Sequence, residues 1–359
     1  MSETKTSNGG NNTVSVEWLT ETLTAIFIAA GLSDRVASRV AESLVDADRR
    51  GISSHGAMLV SMYVDRIRSG SVSTREEAEI VVDAGAIAVL DAHHILGQLS
   101  GDQAMELAVT KAKSYGVGAV TVRQAFHFGG AFRYVQAATW AGCIGVAAAN
   151  TRPLMPAPGG ASPVVGNNPL AFGIPNGDDE PIIADMALSE VALGKIRLAA
   201  SEGQKIPENW ATDAEGQPTT NPEAAIAGML LPIGGPKGYG LAVVVDVLTG
   251  VLSDGQSGSG VKGLYADTSV PNDCAHFFLA LNVESFADPQ GFISRLRELA
   301  AQITGSQRAP GVGRLLLPGQ LEAERYEQSA EHGINIDEST LTSLREAAGL
   351  VGADLPEKG

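Results

Sequence analysis

The chain changes its hydrophobic periodicity at about residue 80. Before that point apolar residues recur at the three- and four-residue spacing of amphipathic helices, as at Leu19, Leu23 and Phe27. Ser33 can cap a second helix, which ends at Gly51, and the chain then turns into a third helix. Beyond residue 80 short apolar runs alternate with helical stretches, a pattern typical of an α/β region.

The apolar runs of this second region predict its strands and helices. Strands are predicted at 87–91, 117–122, 143–149, 170–174, 182–187 and 275–282. Helices are predicted at 98–114, 129–141, from about 190, at 240–253 and after the Asp288-Pro289 pair. The Pro/Gly-rich segment after residue 150 is too long for a simple connection and is a candidate binding loop.

No internal repeat and no clean linker divides the chain. We therefore expect a disordered tail at 1–12 and an amino-terminal helical region at 13–78. Carboxy-terminal helices at 318–350 should join that helical region. Residues 79–317 should form one interwoven α/β region that binds cofactor and substrate.

Composition and charge exclude several classes of function. The net charge of −16 argues against nucleic acid or an anionic membrane as partner, because both require a basic surface. The two cysteines, Cys143 and Cys274, lie in apolar strand-like runs and do not form a disulfide framework. The first residues, MSETKTSNGGNN, lack the features of a secretory signal, and no apolar run reaches the length of a membrane span. A cytoplasmic location is expected.

The common nucleotide and metal motifs are missing from the sequence. The one GxGxxG match, at 258–263, follows a helix instead of a strand, so it does not predict a Rossmann fold. Neither a phosphate-binding GxxxxGK[ST] nor an HExxH motif occurs, and no residues have the spacing of metal ligands. We expect no metal site.

Two of the histidines, His55 and His127, differ from the rest. Each is followed closely by glycine at the junction of two elements, in SSHG and FHFGG. A histidine held there can present a ring nitrogen to a ligand, and its pKa lies near working pH. Spacing alone leaves a structural role open for both.

Taken in order, the motifs of this chain resemble the type-2 malate/L-lactate dehydrogenase family. The resemblance runs over roughly residues 14–350. It rests on RGISSHGA at 50–57, VRQAFHFGG at 122–130, GNNPLAFGIP at 166–175, IADMALS at 183–189, GKI at 194–196, IPENWATDAEGQPTTNP at 206–222, PIGGPKGYGL at 232–241 and LPGQ at 317–320.

The resemblance implies a non-Rossmann nicotinamide-binding α/β fold, with a mixed, largely antiparallel sheet flanked by helices. It also implies a homodimer or larger homo-oligomer that uses NAD or NADP. His55 is the implied acid that protonates the carbonyl oxygen or imine, with Ser54 and Asp185 as orienting partners. The implied cofactor-binding residues are His127, Phe128, Gly129, Ile183, Ala184, Asp185, Pro236, Lys237, Gly319 and Gln320. Asn167 and Asn168 are implied to lie near the substrate.

Three departures from the family pattern stand out. Asn167 replaces the usual threonine, and Gln320 replaces the usual glutamate. Members that bind 2-oxo acids commonly carry arginine where this chain has Leu59, so the helix after SHG offers an apolar lining that includes Leu59 and Tyr63. We therefore expect Arg152 to bind the substrate carboxylate, because its guanidinium can donate two parallel hydrogen bonds.

The sequence is thus interpreted as an NAD(P)-dependent enzyme that interconverts a small 2-oxo acid and its 2-hydroxy acid. Reduction of a cyclic or N-alkyl imine carboxylate is the alternative, since the same hydride geometry serves C=N. A catalytically silent nucleotide-binding member is a third hypothesis, motivated by Leu59 and Gln320. A metal-dependent hydrolase is disfavoured because no ligand cluster has suitable spacing.

Overall fold

The computed structural model describes residues 12–357. The predicted tail at 1–12 lies outside this range except for Asn12, which is held in place. Its amide donates to Glu338 Oε2 at 2.6 Å, and its carbonyl oxygen accepts from the N–H of Ile336 at 3.2 Å. Within the described range no helix has both the length and the apolar character needed to cross a membrane.

The chain forms two compact units. One comprises the residues up to Gly70 and those from Leu321 on, and the other comprises Ser71–Gln320. The first unit ends before the predicted residue 78 because the residues after Gly70 bond to the second unit's own elements. The N–H of Ser73 donates to the carbonyl oxygen of His94, and the hydroxyl of Ser71 donates to the carbonyl oxygen of Thr268.

The first unit is helical, as its periodicity predicts. Its helices are α1 Val16–Ala29, α2 Asp34–Arg49, α3 Val60–Ser69, α11 Gln320–His332 and α12 Glu338–Val351. Ser15, Ser33 and Asp337 cap α1, α2 and α12 through their side-chain oxygens. The predicted apolar face of α1 is fully buried, and a short strand Thr13–Val14 pairs with Ile334–Asn335.

The second unit is built on a seven-stranded sheet. The strands are β1 Glu79–Ala84, β2 Ile87–Asp91, β3 Val117–Ala125, β4 Cys143–Ala149, β5 Leu170–Ile174, β6 Ile182–Met186 and β7 Cys274–Asn282. Their spatial order is β1-β2-β3-β7-β4-β5-β6. Only β2 and β3 run parallel, joined by the crossover through α4, and every other neighbouring pair is antiparallel. The mixed, largely antiparallel sheet is confirmed.

The second unit also contains α-helices. They are α4 Gly97–Tyr115, α5 Phe132–Trp140, α6 Leu193–Ser201, α7 Pro222–Ala227, α8 Pro236–Asp246, α9 Val283–Phe286 and α10 Pro289–Thr304. Helices α4 and α5 pack on each other and on the sheet. Glycine at 118 permits the close approach of α4, since a Cβ there would lie 2.0 Å from the carbonyl oxygen of Ala108.

Three elements differ from the prediction. Helix α5 starts at Phe132 because Gly129 has a φ of 75° and keeps the preceding residues out of the helix. Helix α8 starts at Pro236, earlier than the predicted 240, and continues as a π-helical turn over Val247–Val251. Strand β1 was not predicted, and all of its residues are exposed.

Candidate active site

The SHG segment of the first unit is a tightly bonded loop between α2 and α3. Ser53–His55 form a 3₁₀ turn, in which the N–H of His55 donates to the carbonyl oxygen of Ile52 at 2.9 Å. A second turn, Ala57–Leu59, follows and leads into α3. Backbone bonds on both sides of His55 therefore fix the point from which its ring projects.

His55 and Ser54 form a hydrogen-bonded pair. Ser54 Oγ lies 3.0 Å from Nδ1 of the His55 ring. This contact orients the imidazole ring. Desolvation by burial lowers the pKa of His55, so its neutral form is favoured at neutral pH. The predicted pairing of Ser54 with His55 is thus present.

Leu59 and Tyr63 belong to the core of the first unit. They are 2% and 0% exposed, and the Tyr63 ring lies 6.3 Å from that of Phe27. Neither side chain offers surface to a bound ligand, so the substrate-lining role predicted for them is replaced by a packing role. Met58, on the same stretch, is exposed.

The second unit holds the FHFGG segment directly after β3. The start of α4 confines its backbone, because a Cβ at Gly97 would lie 2.1 Å from the carbonyl oxygen of Phe126 and 2.6 Å from that of His127. His127 is half-buried, whereas Phe128 is buried. The loop therefore keeps the His127 ring partly accessible on a rigid backbone.

Aromatic side chains pack against this loop. The Phe128 ring stacks on that of His276, with centroids 4.6 Å apart, and the hydroxyl of Tyr134 donates to the carbonyl oxygen of Phe128. Burial lowers the pKa of His276 to about 3, so this ring stays neutral and packs as an aromatic. A buried Phe128 reaches a cofactor only through its backbone, and its side chain serves to hold the loop.

Three segments predicted to bind cofactor come together around β6. The carboxylate of Asp185 accepts from the N–H of Phe132 at 2.8 Å and so caps α5, the helix that follows FHFGG. The N–H of Ile183 donates to the carbonyl oxygen of Pro318 at 3.2 Å. At Gly319 a Cβ would lie 2.7 Å from the carbonyl oxygen of Ile183. Contacts of β6 thus reach the start of α5, which follows FHFGG in the chain, and the LPGQ segment.

Asn167 and Asn168 fasten the Pro/Gly-rich loop. Asn168 is fully buried, its Oδ1 accepts from the N–H of Thr151 at 2.9 Å, and its amide donates to the carbonyl oxygen of Ala242 at 2.8 Å. Asn167 Oδ1 accepts from the hydroxyl of Thr151 at 2.9 Å. Both ends of the Asn168 amide are therefore used within the protein.

Arg152, the residue that follows, is exposed and projects from this loop. Among the described residues its guanidinium makes one hydrogen bond, to the adjacent carbonyl oxygen of Pro153 at 3.5 Å. Burial and the like charge of Arg197 on α6 lower the pKa of its guanidinium. Two neighbouring guanidiniums favour an anion between them, because an anion relieves their mutual repulsion.

Lys237 lies in the first turn of α8. The two glycines before this helix, Gly234 and Gly235, have φ values of 61° and 64°, and no atom stands within 4 Å of a Cβ built on either. Their backbone is open to a ligand, and an exposed lysine stands at a helix N-terminus, where the helix dipole favours negative charge. Both features fit a pyrophosphate.

Comparisons with known proteins agree with this arrangement. A family model described as malate/L-lactate dehydrogenase matches residues 14–345. The chain belongs to this family. It is 37% identical over 330 residues to a malate dehydrogenase of Pyrococcus abyssi, which covers 90% of each chain. It is also 37% identical over 307 residues to a ureidoglycolate dehydrogenase (NAD(+)) of Escherichia coli O157:H7, with 86% and 87% covered.

Solved structures of the malate/L-lactate dehydrogenase family share the fold. The sulfolactate dehydrogenase of Methanocaldococcus jannaschii has a TM-score of 0.90 at 34% identity, covering 96% of this chain and 98% of that one. The delta1-piperideine-2-carboxylate reductase of Pseudomonas syringae pvar. tomato has a TM-score of 0.84 at 30% identity, covering 94% and 100%.

Sequence reasoning missed one residue beside the SHG loop of the first unit, Asp48, and two residues of the second unit, Arg197 and His276. Arg197 comes directly after the GKI motif, and this position in the sequence could have identified it as an additional cation. His276 gave no signal, because its partner Phe128 is distant in sequence. Asp48 has a signal in the sequence: it is a carboxylate in the last turn of a predicted helix, where the helix dipole disfavours negative charge.

Proposed function

We propose that the chain is an NAD(P)-dependent oxidoreductase that reduces a small 2-oxo acid to a 2-hydroxy acid and catalyses the reverse oxidation. The observation that carries the proposal is the His55–Ser54 pair within a chain that matches the family from residue 14 to residue 345. The relatives named above act, by their names, on 2-hydroxy acids or on an imine carboxylate.

The proposed roles follow from the chemistry of each side chain. Nicotinamide supplies or accepts the hydride when it is bound. His55 donates a proton to the substrate oxygen as negative charge builds there, and Ser54 holds its ring in the required orientation. In the oxidation direction the neutral His55 ring takes the hydroxyl proton, and its lowered pKa keeps the ring in that neutral form before the reaction.

The proposed cofactor site uses residues of the second unit. Lys237 and the N–H groups at the start of α8 would hold the pyrophosphate, whose negative charge the helix dipole also favours. Pro236 lies beside Lys237 on the same turn. His127, Gly129, Ile183, Ala184, Gly319 and Gln320 would line the remainder, with Asp185 keeping α5 in place. The choice between NAD and NADP stays open.

Lys237→Ala is expected to weaken cofactor binding. Loss of a charge-assisted contact to phosphate costs about 1.5–3 kcal/mol, which raises the Kd of NADH or NADPH by about 10–100-fold. Isothermal titration calorimetry measures this directly. Lys205→Ala, on the loop that follows α6, is the control and should leave Kd unchanged. An intact protein that binds neither nucleotide would contradict the cofactor assignment and the proposed function with it.

Imine reduction is the second candidate function. It is favoured by the piperideine-2-carboxylate reductase whose fold this chain shares. The same protonated His55 could donate to a C=N nitrogen, so the SHG segment serves both reactions. Turnover of a 2-oxo acid alone, compared with turnover after adding methylamine or ammonia, distinguishes them, because only an imine reductase forms the secondary or primary amino acid.

A cytoplasmic homodimer or larger homo-oligomer is proposed as the working form. Helix α8 and the π turn after it expose an apolar stripe, formed by Leu241, Val244, Val247, Val251 and Leu252. Copies of a chain with net charge −16 repel one another, so their contact favours a surface without charges. A second copy of this chain is the occupant that we assign to the stripe.

Replacing Val244 by glutamate should disrupt that assembly. A carboxylate buried in an apolar contact lacks a partner and strongly disfavours association. Light scattering during size-exclusion chromatography should give a dimer or larger for the natural chain and a smaller species for Val244→Glu. Leu350→Glu on α12 is the exposed control. A natural chain that elutes as a monomer at micromolar concentration would exclude the assigned contact.

A further inference from the structure

Asp48 is a buried carboxylate in the last turn of α2, next to the SHG loop. It is 8% exposed, and its Oδ2 accepts from the N–H of Ala57 at 2.7 Å. That bond spans the loop, because Ala57 lies two residues after His55. The carboxylate therefore ties the end of α2 to the far side of the histidine.

Gly56 is packed directly against this carboxylate. A Cβ at position 56 would lie 2.0 Å from Asp48 Oδ1 and 2.5 Å from Oδ2. The backbone of Gly56 has φ −101° and ψ −151°, which other residues also adopt, so its torsion angles do not demand glycine. The glycine of SHG is thus required by its contact with Asp48.

The position of Asp48 is costly for the fold. Burial, and the carboxylate of Asp337 at the start of α12, raise its pKa to about 7 despite the bond from Ala57. The nearby cations do not offset this, since the guanidiniums of Arg49 and Arg50 lie over the Tyr326 ring. Because the pKa of Asp48 is higher in the folded chain than in the unfolded chain, the folded chain binds more protons between these two values. The contribution of Asp48 to the free energy of unfolding therefore falls as pH rises from about 4 through 7.

A group that lowers stability at neutral pH is retained where function requires it. We propose that Asp48 is a positioning residue for His55, which it sets in place by clamping Gly56 and Ala57 against the end of α2. This inference rests on the proposed function, in which His55 exchanges a proton with the substrate. In this proposal Asp48 acts through the backbone of the loop and does not touch the substrate.

Removing the carboxylate should lower turnover without weakening cofactor binding. Asp48→Ala is expected to reduce kcat by about 10–100-fold, the usual consequence of misplacing a catalytic group by about 1 Å. The Kd for NADH should stay within about twofold, because Lys237 and the other proposed cofactor residues are unchanged. Asp48→Asn keeps an oxygen that can accept from Ala57 and should retain kcat within about fivefold. Glu42→Gln, an exposed change on the same helix, is the control.

Stability should move in the opposite direction from activity. Asp48→Asn removes the ionisable group, so its Tm relative to the natural chain should rise as pH increases from 5 to 8. If Asp48 served stability alone, its replacement would lower both Tm and kcat. A pH-independent Tm difference, or a loss of stability at pH 8, counts against the proposal.

A double-mutant cycle tests the clamp itself. Gly56→Ala should reduce kcat at least about tenfold, because its Cβ displaces the carboxylate and the loop with it. In the Asp48→Ala background the same change should cost less than about threefold, since the obstructing carboxylate is gone. Equal fold losses in both backgrounds would overturn the proposal.

A measurement that needs no turnover separates this proposal from the proposed function. The His55 ring resonance, assigned by its loss in His55→Gln, should change its titration midpoint in Asp48→Ala and not in Glu42→Gln. An unchanged resonance overturns the positioning role, whatever the enzyme acts on. A changed resonance in a protein that turns over neither a 2-oxo acid nor an imine supports the clamp and contradicts the proposed function.

Discussion

His55→Ala is expected to lower kcat for 2-oxo acid reduction by about 10²–10⁴-fold, the usual contribution of general acid catalysis. The ring acts on charge that develops on the substrate oxygen in the transition state. Its removal therefore affects kcat and not the binding of the nucleotide. Steady-state kinetics with a 2-oxo acid, together with calorimetric titration of NADH and NADPH, measure the two effects separately.

Two other histidines serve as comparisons. His332→Ala, at the exposed end of α11, should leave both kcat and Kd unchanged. His127→Ala should disturb both, because its loop is proposed to contact the cofactor. If His55→Ala keeps more than about a tenth of the natural kcat, another group is the acid.

The pH dependence of the reaction follows from the same ring. Burial lowers the pKa of His55, so the protonated form that reduction needs is lost as pH rises through that value. The oxidation of a 2-hydroxy acid needs the neutral ring and should gain as pH rises through the same range. The rate of reduction should therefore fall with rising pH while the rate of oxidation rises. His55→Ala should remove the inflection from both pH–rate profiles.

Helices and central strands could be predicted because their signals are local. Ser33 caps α2 where the sequence places it, and the apolar run over Cys143–Ala149 coincides with β4. Such elements depend on capping groups and periodicity within a few residues. The order of the strands was not predictable in this way, since β7 inserts between β3 and β4 from more than 100 residues away.

Strand β1 was missed because it lacks the alternation that marks a half-buried strand. All six residues of Glu79–Ala84 are exposed, and the strand has a single neighbour at the sheet edge. Its apolar residues Ile80, Val81 and Val82 are consecutive, so no buried face can be read from them. Its structure depends on pairing with β2 and on contacts of Glu79 with His93 and of Asp83 with Lys111.

A motif marks the candidate reacting group in the sequence, whereas the packing that supports this group leaves no local signal. SHG and GGPKG predicted His55 and Lys237 as ligand-facing residues. Burial is a property of the whole unit, and it removed Leu59 and Tyr63 from the expected lining. The role of Asn168 could not be inferred either, since its partner Ala242 lies on α8, 74 residues away.

Arg152→Met is expected to raise the KM for a 2-oxo acid by about 10–100-fold. A charge-assisted hydrogen bond from the guanidinium to the substrate carboxylate is worth about 1.5–3 kcal/mol. Position 59, where other family members commonly carry arginine, is a buried leucine in this chain and cannot supply a cation for the carboxylate. Thr151 donates hydrogen bonds to the side-chain oxygens of Asn167 and Asn168, so Arg152 is presented on a fixed backbone.

The neighbouring arginine makes the Arg152 prediction more specific. Because Arg197 adds a second positive charge, a substrate with two acidic groups should lose more affinity in Arg152→Met than one with a single carboxylate. Arg75→Met, an exposed change in the same unit, controls for loss of net positive charge. Adding arginine at position 59 is not a useful rescue, since it would bury an unpaired charge in the core. An unchanged KM in Arg152→Met, with kcat also unchanged, would mean that the carboxylate is bound elsewhere or that the natural substrate has none.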